Sequence, residues 1–147
     1  MKYKIIFVCH GNICRSVMAE YIFKYYQKDL GVICYSRATS TEEIGNDMYY
    51  LAKEVMKKNH IPFSKHSATQ ITLEDYKEAN LVIIMDDHNY YNLKRMISDT
   101  SKVHYLKEYS VGSGSIADPW YSGNFDLAFN EIKEGVLGLI KYLNSKI

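Results

Sequence analysis

Short apolar runs alternate along this chain with longer segments in which apolar residues recur at helical spacing. Lys4–Cys9 and Leu81–Met85 are short apolar runs, a pattern that predicts strands buried in a parallel sheet. Val32–Ser36 and Val103–Leu106 predict two further strands. Because helical segments separate these runs, we expect an α/β fold with a parallel sheet, helices on both faces and right-handed crossovers.

The helical segments are amphipathic. The first covers Ser16–Leu30, and the last begins near Phe125 and carries one continuous apolar stripe. Three shorter helices are predicted: one from a cap at Asn46 or Asp47 through Met56, one from Thr72, and one from about Asn89 to Ile97. Residues 107–123, with Gly112 and Gly114, are expected to form a long loop.

Length and composition narrow the class of protein. A chain of 147 residues, 47% hydrophobic and 24% charged, predicts a single domain covering residues 1–147. A formal net charge of +1 argues against a general nucleic-acid-binding surface. No membrane span or signal peptide is recognisable, and three cysteines do not predict a disulfide scaffold. We therefore expect a cytoplasmic protein that does not act at a membrane, and we expect it to be a monomer.

The segment "IIFVCHGNICRS" places a cysteine at the carboxyl end of the first predicted strand and an arginine six positions later. In a parallel sheet, ligands bind beyond this end of the strands. A loop that enters a helix N-terminus can direct backbone N–H groups at an oxyanion, and Arg15 adds a planar fork. The same positive field favours a thiolate at Cys9, which could attack phosphorus and form a phosphocysteine.

The residues alone leave other interpretations of this loop open. Cys9 and Cys14 could be zinc ligands, but a structural zinc site uses four ligands and Cys34 has no close partner, so no metal is expected. The loop lacks both the G-x-G-x-x-G and the G-K-[ST] patterns of nucleotide-binding loops. The two cysteines could also pack in the core, with Arg15 on the surface.

The segment "VCHGNICRS" resembles the signature V-C-x-G-N-x-C-R-S of the low-molecular-weight protein tyrosine phosphatases. Four more segments resemble blocks of that family in the same order: "SRATS", "HSATQI", "IIMDDHN" and "ADPWYSG". The resemblance implies a four-stranded parallel sheet flanked by helices. It also implies hydrolysis of phosphotyrosine proteins or small aryl phosphates through a phosphocysteine, without a cofactor.

The resemblance assigns the chemistry to three residues. It implies that Cys9 is the nucleophile, that Arg15 clamps the phosphate, and that Asp118 is the general acid and later the base for water. The loop residues that would hold a phosphate or sulfate anion between Cys9 and Arg15 are His10, Gly11, Asn12, Ile13 and Cys14. In the family, the residue at Cys14 can form a reversible disulfide with the nucleophile, which would protect Cys9 from overoxidation.

Four further residues are implied to support the loop. Asn12 would take up a left-handed backbone conformation, which asparagine tolerates. Ser16 would donate a hydrogen bond to the Cys9 thiolate. Ser40 and His66 match family positions that brace Asn12.

At the pocket rim, some residues match those of the family and others differ from them. Trp120 and Tyr121 occupy wall positions, and large side chains there suit an aryl phosphate. Glu42 stands where many members have an aromatic residue, and we expect it to disfavour acidic peptides. His10 and Thr69 also replace residues that are common in the family, so we expect these changes to affect substrate preference more than catalysis.

Three alternative functions follow from the same loop. An arsenate reductase of this fold would need two further cysteines, and none follows Cys34. A phosphoarginine phosphatase would share the loop and differ at the rim, so the sequence does not separate it from a tyrosine phosphatase. An inactive phosphate-binding module is disfavoured because Cys9, Arg15 and Asp118 are all present.

Overall fold

The sheet has four parallel strands in the order β2-β1-β3-β4. This computed structural model describes residues 2–111 and 114–146. The strands are β1 (Lys4–Cys9), β2 (Ile33–Ala38), β3 (Leu81–Ile84) and β4 (Val103–Tyr105). The predicted parallel α/β architecture is confirmed, and β2 lies one to two residues further along the chain than the apolar pattern suggested.

Six α-helices connect and flank the strands in the described ranges. They are α1 (Arg15–Gln27), α2 (Tyr50–Lys58), α3 (Leu73–Glu78), α4 (Asp87–Met96), α5 (Pro119–Ser122) and α6 (Phe125–Lys146). Short 3-10 helices cover Lys28–Leu30 and Leu106–Tyr109. None of the helices within residues 2–111 and 114–146 is both long enough and apolar enough to span a membrane.

Two apolar cores lie on the two faces of the sheet, because successive residues of β1 point to opposite sides. Ile5 and Phe7 belong to the larger core, which also contains the buried faces of α1, α2 and α6. Ile6 and Val8 belong to the smaller core with the buried residues of α3 and α4. β1 is therefore buried on both faces, which explains its continuous apolar run.

The start of α2 differs from the sequence-based prediction. Neither Asn46 nor Asp47 caps the helix, which begins three residues after Asp47, at Tyr50. Asp47 instead accepts hydrogen bonds from the backbone N–H groups of Met48 (2.7 Å) and His66 (2.9 Å). Its carboxylate serves a tertiary contact, which local sequence does not reveal.

Two other boundaries also moved. α4 begins two residues before the predicted start because Asp86 and Asn89 form a reciprocal capping box around its first turn. The expected long loop contains the second 3-10 helix and α5. Gly112, predicted to lie in that loop, is outside the described residues, whereas the predicted cap at Thr72 is present as a capping box with Asp75.

The strand order creates a crevice at the carboxyl edge of the sheet. The connections from β1 and β3 leave this edge beside each other, at the point where the strand order reverses. Ligands of open α/β sheets bind at such a switch point. Cys9, the last residue of β1, and Asp86, which follows β3, both lie there.

Candidate active site

The loop from Cys9 to Arg15 joins the end of β1 directly to the start of α1. Cys9 pairs with Ala38 of β2, and its carbonyl oxygen accepts a hydrogen bond from the N–H of Thr39 at 3.0 Å. Cys14 is the N-cap of α1, but its side chain makes no capping hydrogen bond. The loop therefore enters the positive end of the helix macrodipole, as the sequence predicted.

The hydrogen bonds of Asn12 hold the loop in its conformation. Its φ is 60°, the left-handed conformation expected for it, and its side chain is fully buried. Its backbone N–H donates to Cys9 Sγ at 3.3 Å, and its Nδ2 donates to Ser16 Oγ at 2.8 Å. Ser16 Oγ lies 3.0 Å from Cys9 Sγ. Because Asn12 donates to the Ser16 hydroxyl, the hydroxyl proton is free to point at the sulfur.

His66 and Ser40 contact the loop at two different residues. His66 Nε2 donates to the carbonyl oxygen of Asn12 at 2.6 Å. The expectation that Ser40 also braces Asn12 is wrong, since Ser40 Oγ donates to the carbonyl oxygen of His10 at 2.9 Å. Ser40 lies just after β2 and so reaches the near side of the loop, whereas His66 and Thr69 approach Asn12.

The Arg15 guanidinium is buried, with only 2% of its surface exposed. Its Nη1 donates to Asp86 Oδ2 and to the Ile116 carbonyl oxygen, both at 2.7 Å, and its Nη2 donates to Asp118 Oδ2 at 3.3 Å. Burial alone would lower the pKa of Arg15, but Cys9 and the two carboxylates outweigh it and raise the pKa. Arg15 therefore stays charged in the crevice.

Asp118 is held at the start of α5. Its Oδ1 accepts a hydrogen bond from the Trp120 N–H at 3.0 Å, and Pro119 occupies the first helical position. Proline at this position fixes φ without losing a backbone hydrogen bond. The preceding segment is tied to the sheet, since the Ile116 N–H donates to the Met85 carbonyl oxygen at 2.9 Å. Asp118 thus meets Arg15 although 103 positions separate them.

One pocket brings most of the predicted residues together. It is lined by residues of the phosphate loop, the segment after β2 and the α5 turn: Cys9, His10, Gly11, Ile13, Cys14, Arg15, Glu42, Glu43, Asp118, Trp120 and Tyr121. Trp120 and Tyr121 are 49% and 84% exposed, so they form the mouth of the pocket. The predicted supporting residues do not line the pocket; these are Asn12, Ser16, Ser40 and His66.

The rim residue Glu42 contacts the loop. Its Oε2 lies 3.2 Å from His10 Nε2. Both residues are predicted to affect substrate preference, and the structure places them as a pair at one side of the mouth. Glu43, which the sequence did not single out, also lines the pocket, and its Cγ would lie 3.3 Å from a Cβ atom added at Gly11.

The three cysteines are free and buried. Burial raises the pKa of Cys14, and the neighbouring Cys9 and Asp118 raise it further, so this thiol stays protonated at neutral pH. Burial also raises the pKa of Cys34 to about 12. Over residues 2–111 and 114–146, no three side chains of the metal-binding types are grouped where they could hold an ion.

Sequence reasoning did not single out Asp86 as a site residue. It lies two residues after the end of β3, in the segment "IIMDDHN", and accepts a hydrogen bond from Arg15 at 2.7 Å. The rule that ligands bind at the carboxyl edge of a parallel sheet could have identified Asp86, because Cys9 ends one central strand and Asp86 lies just after the other. Asp47, which positions the backbone of His66, carries no comparable sequence signal.

Comparisons with known proteins agree with this geometry. The family model described as low molecular weight phosphotyrosine protein phosphatase matches residues 4–147. The low molecular weight protein-tyrosine-phosphatase YfkJ of Bacillus subtilis is 33% identical over 139 residues, 89% of each chain. The human low molecular weight phosphotyrosine protein phosphatase is 36% identical, over 83% of this chain and 82% of its own.

Solved structures extend the similarity to the whole fold. The crystal structure of YfkJ superposes with a TM-score of 0.94 at 30% identity and covers 99% of this chain and 97% of its own. Vibrio vulnificus Wzb in complex with benzylphosphonate gives a TM-score of 0.86 at 25% identity, covering 97% and 99%. With a family match over nearly its full length, this chain belongs to the low molecular weight phosphotyrosine protein phosphatase family.

Proposed function

We propose that this tyrosine phosphatase hydrolyses phosphotyrosine proteins and small aryl phosphates in two steps, through a phosphocysteine formed on Cys9. The observation that carries the proposal is the convergence of Cys9, Arg15 and Asp118 on one pocket. A nucleophile, an anion clamp and a proton donor are the groups this reaction requires.

In the first step, the Cys9 thiolate attacks phosphorus and the bond between phosphorus and the tyrosine oxygen breaks. Protonated Asp118 gives its proton to that oxygen, so the leaving group departs as neutral phenol. The Asn12 N–H and the Ser16 hydroxyl, 3.3 and 3.0 Å from the sulfur, support the thiolate form of Cys9.

Arg15 would bind the phosphate by exchanging one partner. Its Nη1 has two short contacts, to Asp86 and the Ile116 carbonyl oxygen, whereas its Nη2 has a longer contact to Asp118. Nη2 is therefore the group that turns to the phosphate oxygens, joined by backbone N–H groups of the loop. This exchange also frees Asp118 to face the leaving oxygen.

In the second step, water attacks the phosphorus of the phosphocysteine. The Asp118 carboxylate accepts a proton from that water, the S–P bond breaks, and inorganic phosphate leaves. Cys9 departs as a thiolate, which the hydroxyl of Ser16 stabilises. The enzyme then returns to its starting state, with Asp118 protonated for the next cycle.

Leaving-group dependence tests these roles. Cys9→Ser should abolish turnover of phosphotyrosine and of p-nitrophenyl phosphate, because a serine hydroxyl is a poor nucleophile here. Asp118→Ala should lower kcat/KM for phosphotyrosine by about 100-fold or more, the usual contribution of a general acid. It should affect p-nitrophenyl phosphate less than about tenfold, since nitrophenolate leaves more readily without a proton.

Two matched variants control for these changes. Cys34→Ser alters a buried cysteine away from the pocket and should leave kcat/KM near that of the wild type. Asp126→Asn removes an exposed carboxylate that pairs with Lys58, and it should do the same. Turnover by Cys9→Ser, or equal losses on both substrates with Asp118→Ala, would contradict the proposal.

We further propose a protective redox role for Cys14. It lines the same pocket as Cys9, and burial keeps the Cys14 thiol protonated, which makes Cys14 itself a poor target for oxidants. Oxidised Cys9 sulfenic acid would then condense with the Cys14 thiol, releasing water and forming a disulfide. After inactivation by peroxide, dithiothreitol should restore the activity of the wild type. Cys14→Ser should recover far less activity after the same treatment.

All of these groups come from one chain, which supports action as a monomer and as a single unit covering residues 1–147. Cys9, Arg15, Asp86 and Asp118 need no residue of a second copy. Gel filtration at the assay concentration tests this. A dimer whose dilution abolishes activity would contradict it.

A further inference from the structure

Tyr49 links the two halves of the candidate active site. Its backbone N–H donates to the carbonyl oxygen of Ile13, inside the phosphate loop, at 2.9 Å. Its ring lies against Trp120 of α5, with ring centroids 4.7 Å apart and an interplanar angle of 57°. One residue therefore contacts both the loop that carries the nucleophile and the turn that carries the acid.

The position of Trp120 affects the position of the Asp118 carboxylate. The Trp120 N–H donates to Asp118 Oδ1 at 3.0 Å, so a shift of Trp120 moves the carboxylate as well. Within α5, Pro119 is buried, whereas Trp120 is half exposed and Tyr121 is 84% exposed. The Tyr49 ring packs against this half-exposed indole.

Tyr49 makes a second ring contact, just after the end of α5. Tyr49 also packs against Phe125, the first residue of α6, with centroids 5.9 Å apart and an interplanar angle of 29°. Phe125 is buried in the larger core. Tyr49 therefore lies between the half-exposed Trp120 and the buried Phe125, and aromatic pairs of this kind stabilise beyond simple area burial.

We propose that Tyr49 is a positioning residue for the proton donor. Its ring holds Trp120, and through it Asp118, at the distance from the phosphate loop that the leaving oxygen requires. The hypothesis rests on the proposed role of Asp118. It assigns the effect to the aromatic ring, so phenylalanine can replace Tyr49.

The test compares two substrates that differ in their need for a proton. Tyr49→Ala should lower kcat/KM for phosphotyrosine by about tenfold, because a small displacement of a catalytic group is costly. The loss with p-nitrophenyl phosphate should be less than about twofold, since that leaving group depends less on the acid. Tyr49→Phe should restore both values to within about twofold of the wild type.

A merely structural role predicts a different result. If Tyr49 only stabilised the fold or the phosphate loop, Tyr49→Ala would lower kcat/KM equally for both substrates, and that outcome overturns the proposal. No loss on either substrate also overturns it. If Tyr49→Ala does not fold, Tyr49→Leu retains most of the volume, and the same ratio between substrates is the readout.

Coupling to Trp120 gives an independent check. In a Trp120→Ala background, adding Tyr49→Ala should change the ratio between substrates by less than about twofold, because the contact is already lost. If the two substitutions change the ratio between substrates independently, so that their effects multiply, the proposed route from Tyr49 through Trp120 to Asp118 is overturned. Tyr91→Ala, at an exposed position of α4, is the matched control and should leave the ratio unchanged.

Failure of the proposed function gives a separate signature. If Asp118→Asn leaves the ratio between the two substrates at its wild-type value, the acid assignment is wrong. If Asp118→Asn changes the ratio but Tyr49→Ala does not, only the role of Tyr49 is wrong.

Discussion

Asp47 supports the phosphate loop through a chain of contacts. Its Oδ2 accepts a hydrogen bond from Lys53 Nζ at 2.7 Å, and its Oδ1 holds the N–H of His66. His66 in turn donates to the Asn12 carbonyl oxygen at 2.6 Å. A residue that lines no part of the pocket thus positions the loop around Cys9.

The pKa of Asp47 leads to a prediction for stability. The Lys53 hydrogen bond, with the backbone N–H groups of His66 and Met48, lowers this pKa to about 2. A folded-state pKa below the unfolded value of about 3.9 gives stability that is present above pH 4 and is lost as the pH falls toward 2. Asp47→Asn should therefore lower the free energy of unfolding at pH 7 by about 1 kcal/mol, and the difference should shrink below pH 4.

Urea unfolding at pH 7, 5, 4 and 3 measures this difference. Asp47→Asn keeps an oxygen that can accept from the backbone N–H groups, so the variant removes the charge and the acceptor for Lys53 only. In a Lys53→Ala background the largest cause of the lowered pKa is absent, and the effect of Asp47→Asn should be smaller. A difference that stays constant down to pH 3 would show that the charge of Asp47 contributes nothing.

At the scale of elements, α6 packs closely against the second 3-10 helix. A Cβ atom at Gly138 would lie 1.7 Å from the carbonyl oxygen of Tyr109, and one at Gly135 would lie 2.7 Å from Leu106 Cγ. Glycine within a helix is unfavourable by about 1 kcal/mol relative to alanine. The close approach of the two segments explains why the helix retains both glycines.

Gly138→Ala should therefore destabilise the protein despite the better helix propensity of alanine. The new methyl group overlaps backbone that cannot rotate away, and overpacking of this kind typically costs about 1–3 kcal/mol. Chemical denaturation of this variant beside Glu134→Ala, at an exposed position of the same helix, measures the difference. We expect Glu134→Ala to stay within about 0.5 kcal/mol of the wild type. A Gly138→Ala protein as stable as the wild type would argue against this close contact.

The boundaries of other elements show which features the local sequence can predict. The capping box of Thr72 and Asp75 forms as the sequence predicts, because every partner lies within one turn. α2 begins later than predicted because Asp47 is engaged with Lys53 and His66. A capping side chain with a distant partner is not available to its own helix.

At the scale of the whole molecule, Arg15 connects three parts of the chain. It begins α1, and it contacts Asp86 after β3, the Ile116 carbonyl oxygen and Asp118. A bound phosphate would add contacts at the same junction. Because a ligand that binds only the folded state stabilises it, phosphate binding should be visible as thermal stability.

Inorganic phosphate at about 100 times its Kd should add about 2.7 kcal/mol. For a domain of about 150 residues this raises Tm by roughly 5–10 °C. Cys9→Ser should show a similar increase, because binding does not need the sulfur. Arg15→Lys keeps the charge but loses the planar fork, so its increase should be much smaller. Thermal unfolding in phosphate and in chloride of equal ionic strength measures this, and an undiminished shift in Arg15→Lys would contradict the assigned clamp.

The sequence by itself determined the strand and helix alternation, the class of sheet and the position of the loop from Cys9 to Arg15. These features are local: apolar periodicity reports burial, and the loop from Cys9 to Arg15 brings its chemistry within seven residues. The tertiary structure decided which distant groups meet it. Asp86 and Asp118 reach Arg15 at the carboxyl edge of the parallel sheet, and the Tyr49 ring, just before α2, contacts Trp120 of α5. Such contacts depend on how elements pack, which no single segment encodes.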